Sequence, residues 1–301
     1  MNSVASVKDR LKNRSKETGK TLQELLFVYG LERTIYRISI SKYAGNFVLK
    51  GGIFLYAMFG GAYARSTTDI DLLAQNISNE TEKLTEAFCN IFSLNADDPL
   101  RFDLNTLQIV PISELKKYHG VRVTITAFLD RTRIPVSIDI GFGDTIYPGK
   151  VEMDFPVLLS DERPHVFAYS LSTSVAEKFE AIVSLAYDNS RFKDFYDIYV
   201  LAERFDFDGE ELREALNETF EHRKTSMREI VAFEDGFAEE PLRRSRWNVF
   251  VKKKRAMLSV TLEQAIERIQ AFLSPVADAI INEVQFNAKW DHTELKWIAN
   301  R

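Results

Sequence analysis

The sequence predicts an α+β protein, with a small mixed sheet flanked by helices in the first half and a mainly helical second half. Three observations support this prediction. Apolar residues recur at helical intervals over residues 1–45, strand-like segments occupy residues 106–112 and 119–140, and strand patterns are scarce after Ser170. Strands mixed with helices indicate an α/β or α+β arrangement for the first half.

The elements of the first half follow from local signals. After the helical leader, a short strand ends at Lys50-Gly51-Gly52, and residues 53–59 form a buried helix that Gly60-Gly61 ends. Residues 69–73 form a short strand, and a polar helix follows from about Ser78 to Ser93. Within 119–140, one segment is rich in β-branched residues and the next alternates between apolar and polar.

The second half carries an acidic stretch over residues 206–240 and a basic one after Pro241. Three prolines between residues 145 and 170 mark the expected domain boundary. We therefore predict an N-terminal domain of residues 1–160 and a C-terminal domain of residues 161–301.

Composition excludes several classes of protein. Hydrophobic residues make up 45% and charged residues 28% of the chain, which is an ordinary globular balance. No apolar run approaches the roughly 20 residues that cross a bilayer, and the N-terminus lacks the apolar core of a signal peptide. One cysteine and four scattered histidines provide no disulfide or zinc-binding pattern. These features predict a cytoplasmic protein without membrane contact, and the net charge of −5 argues against general coating of nucleic acid.

Asp69 and Asp71 form the first candidate metal site. Because alternate residues of a strand project to one face, both carboxylates are expected together while Ile70 and Leu72 point into the core. Two adjacent carboxylates repel each other unless a cation lies between them. Mg²⁺ is typically held by one or two carboxylates together with phosphate oxygens, so the pair predicts a Mg²⁺ (or Mn²⁺) site for phosphoryl transfer.

Asp139 offers a third carboxylate. In residues 136–140 the apolar side chains share one face of the predicted strand, and Asp139 lies on the other. If this strand neighbours the strand of Asp69 and Asp71, all three acids converge on one edge of a sheet. Asp139 is therefore a third candidate metal ligand.

Lys50-Gly51-Gly52 is the candidate phosphate-binding segment. Glycine lets the backbone approach a phosphate, and a helix N-terminus favours negative charge. Each feature alone has an ordinary explanation: Asp-X-Asp is common, Gly-Gly usually only turns the chain, and Lys50 could be a plain surface residue. Their order along the chain is more specific than any one of them.

Six segments that occur in this order carry a resemblance to a known family: Tyr29–Arg37, Phe47–Gly52, Arg65–Leu72, Ile138–Asp144, Val175–Ala181 and Arg191–Ile198. Together they resemble the AbiEii/AbiGii nucleotidyltransferase toxins, a branch of the polymerase-beta-like nucleotidyltransferases. The resemblance extends from about residue 7 to about residue 205. It implies a nucleotidyltransferase core with a helical leader in residues 1–160, and a helical domain in residues 161–301 that completes the active-site cleft.

The resemblance also implies roles for single residues. Catalytic roles fall to Asp69, Asp71, Lys178 and Asp194, and metal binding to Asp69 and Asp71. The nucleotide-binding set is Lys50, Gly51, Gly52, Arg65, Ser66 and Lys178, with Lys178 on the triphosphate. The wider superfamily usually has serine where Gly52 stands, so a backbone amide must replace the hydroxyl contact.

Lys178 and Asp194 also have ordinary explanations. Lys178 lies at the edge of an apolar helical stripe, with Glu177 and Glu180 on the opposite side. Asp194 could be the N-cap of the following helix, with Asp197 complementing the helix dipole. An acid at that helix start could also orient Lys178 through a charge-assisted hydrogen bond.

The basic stretch is a candidate RNA-binding surface. Trp247 and Phe250 lie among its charges, and positive charge with aromatic rings suits unstacked RNA ends. A solvated helix face is the alternative. The basic residues are Arg243, Arg244, Arg246, Lys252, Lys253, Lys254 and Arg255.

The leading hypothesis is a type IV toxin–antitoxin (abortive infection) toxin that transfers NMP from an NTP to RNA. The resemblance implies the tRNA 3′ end as acceptor, with blocked translation as the outcome. It implies an AbiEi-like antitoxin encoded alongside, generally a DNA-binding repressor that acts without a stable complex. Two alternatives remain: a nucleotidyltransferase that modifies a protein hydroxyl or a small molecule, and a non-catalytic RNA-binding module.

Overall fold

The structure is a computed structural model that describes residues 3–62, 68–112, 120–159, 162–253 and 260–300, without the side chain of Lys253. Four residues with predicted roles, Arg65, Ser66, Lys254 and Arg255, lie outside the described residues. Within those ranges, no helix combines the length and the apolar character that crossing a membrane requires.

The chain divides into two compact units, and each is discontinuous in sequence. The first consists of Met1–Gly143 and Val151–Ala168, and the second of Asp144–Lys150 and Tyr169–Arg301. The chain therefore passes from one unit to the other three times.

The first unit is built on a seven-stranded mixed sheet with strand order β3-β4-β5-β2-β1-β7-β6. In this sheet β2 is parallel to β5 and β1 is parallel to β7, while the other neighbours are antiparallel. This confirms the predicted mixed sheet with flanking helices. The elements are α1 Val4–Thr18, α2 Leu22–Ser39, β1 Phe47–Lys50, α3 Gly51–Met58, β2 Ile70–Ala74, α4 Thr81–Phe92, β3 Leu100–Ile112, β4 Gly120–Leu129, β5 Thr132–Phe142, β6 Val151–Asp154 and β7 His165–Ala168.

Alternation of side chains along β4 and β5 creates the buried face of this sheet. Every second residue is buried over residues 121–129 and 134–140, as expected for strands with one covered face. Helix α2 packs on β5, and a Cβ at Gly30 would lie 2.6 Å from Cγ2 of Ile134. Residues 29–38, predicted as part of a helical leader, are all buried and belong to this core.

The second unit is mainly helical, as predicted, but it also contains a three-stranded sheet that the sequence analysis missed. Trp290 on β9 is fully buried, and its indole N–H donates to the Ala202 carbonyl at 2.8 Å. The elements are α5 Leu171–Leu185, α6 Phe192–Arg204, β8 Phe207–Asp208, α7 Gly209–Arg223, α8 Pro241–Lys253, α9 Leu262–Ile281, β9 Ala288–Asp291 and β10 Lys296–Ala299.

Candidate nucleotide and metal site

Four charged residues form a row across neighbouring strands of the first unit. Lys50 on β1 is in register with Asp71 on β2, Asp71 with Asp139 on β5, and Asp139 with Arg122 on β4. Residues in register on adjacent strands project to the same face. With strands about 4.8 Å apart, the row is roughly 14 Å long. We call these four residues the charged row. It has a positive residue at each end and the two aspartates side by side in the middle.

Asp71 also contacts the glycine segment. Strand β1 ends at Lys50 and α3 begins at Gly51, whose φ is +64°. A Cβ on Gly51 would lie 2.1 Å from Oδ2 of Asp71, so only glycine leaves room for this carboxylate. The N–H of Gly52 donates to the same oxygen at 3.3 Å. The predicted phosphate-binding segment and the predicted metal-binding acid are therefore in direct contact.

Asp69 precedes the strand rather than lying on it. Strand β2 begins at Ile70, and the hydroxyl of Thr68 donates to Oδ2 of Asp69 at 2.9 Å. Ile70 and Leu72 are buried while Asp71 is partly exposed, as strand parity predicts. Asp69 is also partly exposed, so both carboxylates can reach solvent and its ions.

Asp139 lies on the strand next to Asp71, as the parity argument required, but it already holds a cation. Arg122 donates from Nε to Oδ1 and from Nη2 to Oδ2 of Asp139, both at 2.7 Å. This bidentate arrangement is the strongest geometry available to an arginine–carboxylate pair. Among the described residues, no three His, Cys, Asp or Glu side chains are grouped so that they could hold a metal ion.

Lys178 lies in a buried ionic cluster of the second unit. Its Nζ donates to Oδ2 of Asp197 at 2.7 Å, whereas Oδ1 of Asp194 is 3.6 Å away. The side chains of Lys178, Asp194 and Asp197 are 10%, 2% and 0% exposed. Nε of Arg191 lies 2.8 Å from Oδ2 of Asp194, but these atoms are not aligned for a hydrogen bond and interact only as charges.

These contacts change the roles that local patterns gave to the two aspartates. The N-cap of α6 is Arg191 and its side chain makes no capping bond, so the N-cap interpretation of Asp194 is wrong. Asp194 is the third helical residue, and its N–H donates to the Arg191 carbonyl. Asp197, interpreted only as a complement to the helix dipole, is the closer partner of Lys178. One helical turn separates the two acids, so both can face the same ammonium group.

Glu177 and Glu180 bind a partly buried arginine rather than facing water. Nη2 of Arg223 lies 3.0 Å from both Glu177 and Asp144, and Nη1 lies 2.8 Å from Glu180. Burial lowers the pKa of Arg223, but the three carboxylate charges outweigh it and leave that pKa well above its usual value. The cluster joins Asp144 and α7 to α5, the helix that carries Lys178.

The basic stretch of α8 differs from the prediction in its aromatic residues. Trp247 is fully buried and donates its indole N–H to the Val260 carbonyl at 2.8 Å, and Phe250 packs against it. The Trp247 ring is therefore not available for base stacking, and Phe250 is only partly exposed. Arg243 lies over the Phe237 ring and donates to its carbonyl. The exposed basic side chains described on α8 are Arg244, Arg246 and Lys252.

Comparisons with known proteins identify the chain. Residues 33–274 match the family described as "Nucleotidyl transferase AbiEii toxin, Type IV TA system". The chain belongs to the AbiEii family. The match covers most of the chain and includes the charged row, the glycine segment and the Lys178 cluster. A search among curated proteins found no significant match.

Two solved structures are similar to this AbiEii-family chain. A candidate nucleotidyltransferase from Helicobacter pylori is 14% identical, with a TM-score of 0.50 over 88% of this chain and all of that one. The JHP933 protein from Helicobacter pylori is also 14% identical, with a TM-score of 0.48 over 87% of this chain and 95% of that one. At this identity, the first of these supports a nucleotidyltransferase-like fold and nothing further.

Proposed function

We propose that the chain transfers NMP from an NTP to the 3′ end of an RNA acceptor, tRNA in particular, and that this transfer requires Mg²⁺ or Mn²⁺. The observation that carries the proposal is the position of Asp71. One oxygen of its carboxylate contacts the glycine segment that opens α3, and its strand lies beside β5, which carries Asp139 in register with it. A phosphate group and a cation would both be expected at such a junction.

The chemistry of the donors fits a magnesium–triphosphate complex. Asp69 and Asp71 supply hard oxygen ligands, and Mg²⁺ sites of this kind commonly use one or two carboxylates and complete the shell with phosphate oxygens and water. Two protein carboxylates are therefore enough, even though the described residues contain no group of three. When bound, such a cation would neutralise developing charge on the phosphates and favour ionisation of the attacking hydroxyl.

The glycine segment would orient the triphosphate. The first amides of α3 are not used within the helix, and positive φ at Gly51 brings the backbone close to the carboxylate of Asp71. Lys50, in register with Asp71, would add a positive charge beside the phosphates. Family resemblance adds Lys178 on the triphosphate and Asp194 as an essential acid, and both roles are part of the proposal.

The exposed face of α8 supports an RNA acceptor. An open groove of about 540 Å³ lies along this helix, and Arg244 and Lys252 line it. Arg246 is also exposed, and Arg244 forms an ion pair with Glu263 at 2.8 Å. Exposed basic side chains on one helix suit phosphate contacts that carry no base specificity. Because NTPs and tRNA are cytoplasmic, we place the activity in the cytoplasm.

A toxin of this family implies an antitoxin partner. We propose that this partner is an AbiEi-like protein encoded alongside the chain. Co-expression should then restore growth that the chain alone arrests. Co-purification is not required, because an antitoxin that represses transcription needs no stable complex with the toxin.

The activity can be tested with four α-³²P-labelled NTPs, Mg²⁺ and a total tRNA pool. The wild-type protein should label tRNA from at least one NTP, and Asp71→Asn and Asp69→Asn should reduce labelling at least about 100-fold. Asp9→Asn is a matched control, because this aspartate is 71% exposed on α1 and should leave labelling unchanged.

The same assay separates the alternatives. Label in protein or in a small product would support a nucleotidyltransferase with a different acceptor. If the wild-type protein labels nothing, and wild type and Asp71→Asn arrest growth equally, the chain acts as an RNA-binding module and the proposed transfer is wrong. Lys252→Glu with Arg246→Glu should weaken tRNA binding and make it less salt-dependent.

A further inference from the structure

The pairing of Arg122 with Asp139 has a consequence for metal binding. Asp71 and Asp139 are direct neighbours on parallel strands, so their carboxylates are like charges placed side by side. Like charges in this position destabilise a sheet unless a cation compensates them. At Asp139 a compensating cation is the guanidinium of Arg122, which reaches this carboxylate from the next strand.

We propose that Arg122 substitutes for the divalent cation at Asp139 and competes with that cation for the carboxylate. This inference rests on the proposed metal-dependent function. Asp139 then becomes a full-strength metal ligand only after Arg122 has separated from it. Arg122 is a positioning residue rather than a catalytic one.

The two partners compete for the same carboxylate charge. Both oxygens of Asp139 accept a short hydrogen bond from Arg122, one from Nε and one from Nη2, in a side-on bidentate arrangement. A cation that joins Asp71 to Asp139 must approach an oxygen that Arg122 now holds. The Asp139 carboxylate can therefore bind the guanidinium or the metal with full strength, but not both.

Because the Arg122–Asp139 pair is partly exposed, replacing the guanidinium by a cation costs little free energy. The side chains of Arg122 and Asp139 are 46% and 23% exposed, so water can solvate the guanidinium once it separates. Ion pairs with this exposure contribute little to stability. By contrast, the ion pair between Lys178 and Asp197, with 10% and 0% exposure, would be costly to open.

Competition predicts that removal of Arg122 strengthens metal binding. Mn²⁺ binding is measured by titration of the full chain, followed by electron paramagnetic resonance of free Mn²⁺. The affinity should rise about fivefold in Arg122→Met, which corresponds to the modest strength of a part-exposed pair. Arg122→Lys keeps the charge and loses the bidentate geometry, so its affinity should lie between the two.

Two further variants separate competition from simple charge repulsion. Loss of any nearby positive charge favours binding of a cation. Arg122→Met is therefore repeated in an Asp139→Asn background, where Arg122 and the cation no longer share a carboxylate at position 139. There the gain should shrink to less than about twofold. Arg133→Met is the matched control, because Arg133 is exposed on the same strand about 20 Å from Asp139, beyond the reach of screened charges.

Each outcome decides the proposal. An equal gain with Asp or Asn at position 139, or no gain from Arg122→Met, overturns the competition. If Asp71→Asn abolishes Mn²⁺ binding and RNA labelling while Arg122→Met changes nothing, the proposed function stands and only this inference falls. If neither wild type nor Arg122→Met binds Mn²⁺, both fall together.

Discussion

Glu32 provides a sharp test of how burial affects this fold. Its side chain lies within the buried part of α2 and is 1% exposed. Oε2 accepts the N–H of Leu158 at 2.7 Å, whereas Oε1 is buried without a hydrogen-bond partner among the described residues. Burial raises the pKa of Glu32 from 4.5 to about 7, although the Leu158 N–H and the charge of Arg33 oppose the change.

The sign of the pH effect follows from which state holds the proton. Between pH 4.5 and about 7 the folded chain keeps a proton on Glu32 that the unfolded chain has released. The free energy of unfolding therefore falls as pH rises through this window, and the loss is complete above it. The change in pKa corresponds to about 3 kcal/mol as an upper bound.

Glu32→Gln should remove this dependence. Glutamine keeps an oxygen that accepts the Leu158 N–H, and it carries no charge at any pH. Relative to wild type, the variant should gain stability steadily from about pH 5 to about pH 8, toward about 3 kcal/mol. Urea unfolding of both proteins across this range measures the difference.

A control and a direct titration accompany this measurement. Glu17→Gln alters a glutamate that is 60% exposed, so its stability relative to wild type should not vary with pH. The ¹³C chemical shift of the Glu32 carboxyl should titrate near neutral pH. The reasoning is refuted if Glu32→Gln differs from wild type by the same amount at both ends of the range.

Two further predictions concern the candidate sites. Gly51→Ala should abolish Mn²⁺ binding because the new Cβ displaces the Asp71 carboxylate. Gly60→Ala is the control: its φ is +60° and the space around its Cβ is open, so this variant should have backbone strain alone and keep Mn²⁺ binding. Asp197→Asn should lower the free energy of unfolding by about 3 kcal/mol, because it leaves the Lys178 ammonium buried without its closest partner, and Lys178→Met in that background should recover much of the loss. Equal metal binding by the two alanine variants, or no recovery in the double variant, would contradict these expectations.

The faces on which Asp71 and Asp139 lie were predictable, because they depend on short-range periodicity. Strand parity alone separates Asp71 from Ile70 and Leu72, and the same rule separates Asp139 from its apolar neighbours. The order Gly-Gly, helix, Asp-X-Asp then indicates that a strand and a helix precede the strand of Asp71. The family match confirms the resemblance that these segments carried.

Partners chosen across the fold were not predictable from local patterns. Arg122 and Asp139 pair because β4 and β5 form a hairpin in one register, and a one-residue slip would separate them. The sequence indicated only a helix-dipole role for Asp197, because its contact with Lys178 depends on how α5 packs against α6.

Aromatic residues and short strands account for other differences between the sequence analysis and the structure. Trp247 and Phe250 are three residues apart, a spacing that fits a buried helix face as well as a stacking surface. Strands β6 and β7 are four residues each and lie in the proline-rich segment that was interpreted as a domain boundary. The strands after Ser170 are also short, and two of them gain their stability from Trp290 and Trp297 packed on α9.

The pairing of β1 with β7 has a consequence for synthesis of the chain. Strand β1, which leads into Gly51, pairs with β7 through Val48 and Phe167, so one side of β1 has no sheet partner until β7 is made. During translation, the strand that leads into the glycine segment gains this partner only after more than half of the chain has been synthesised. The sheet that carries the glycine segment is therefore complete only after the midpoint of elongation, and fragments that end before Ala168 should lack the pairing of β1 with β7.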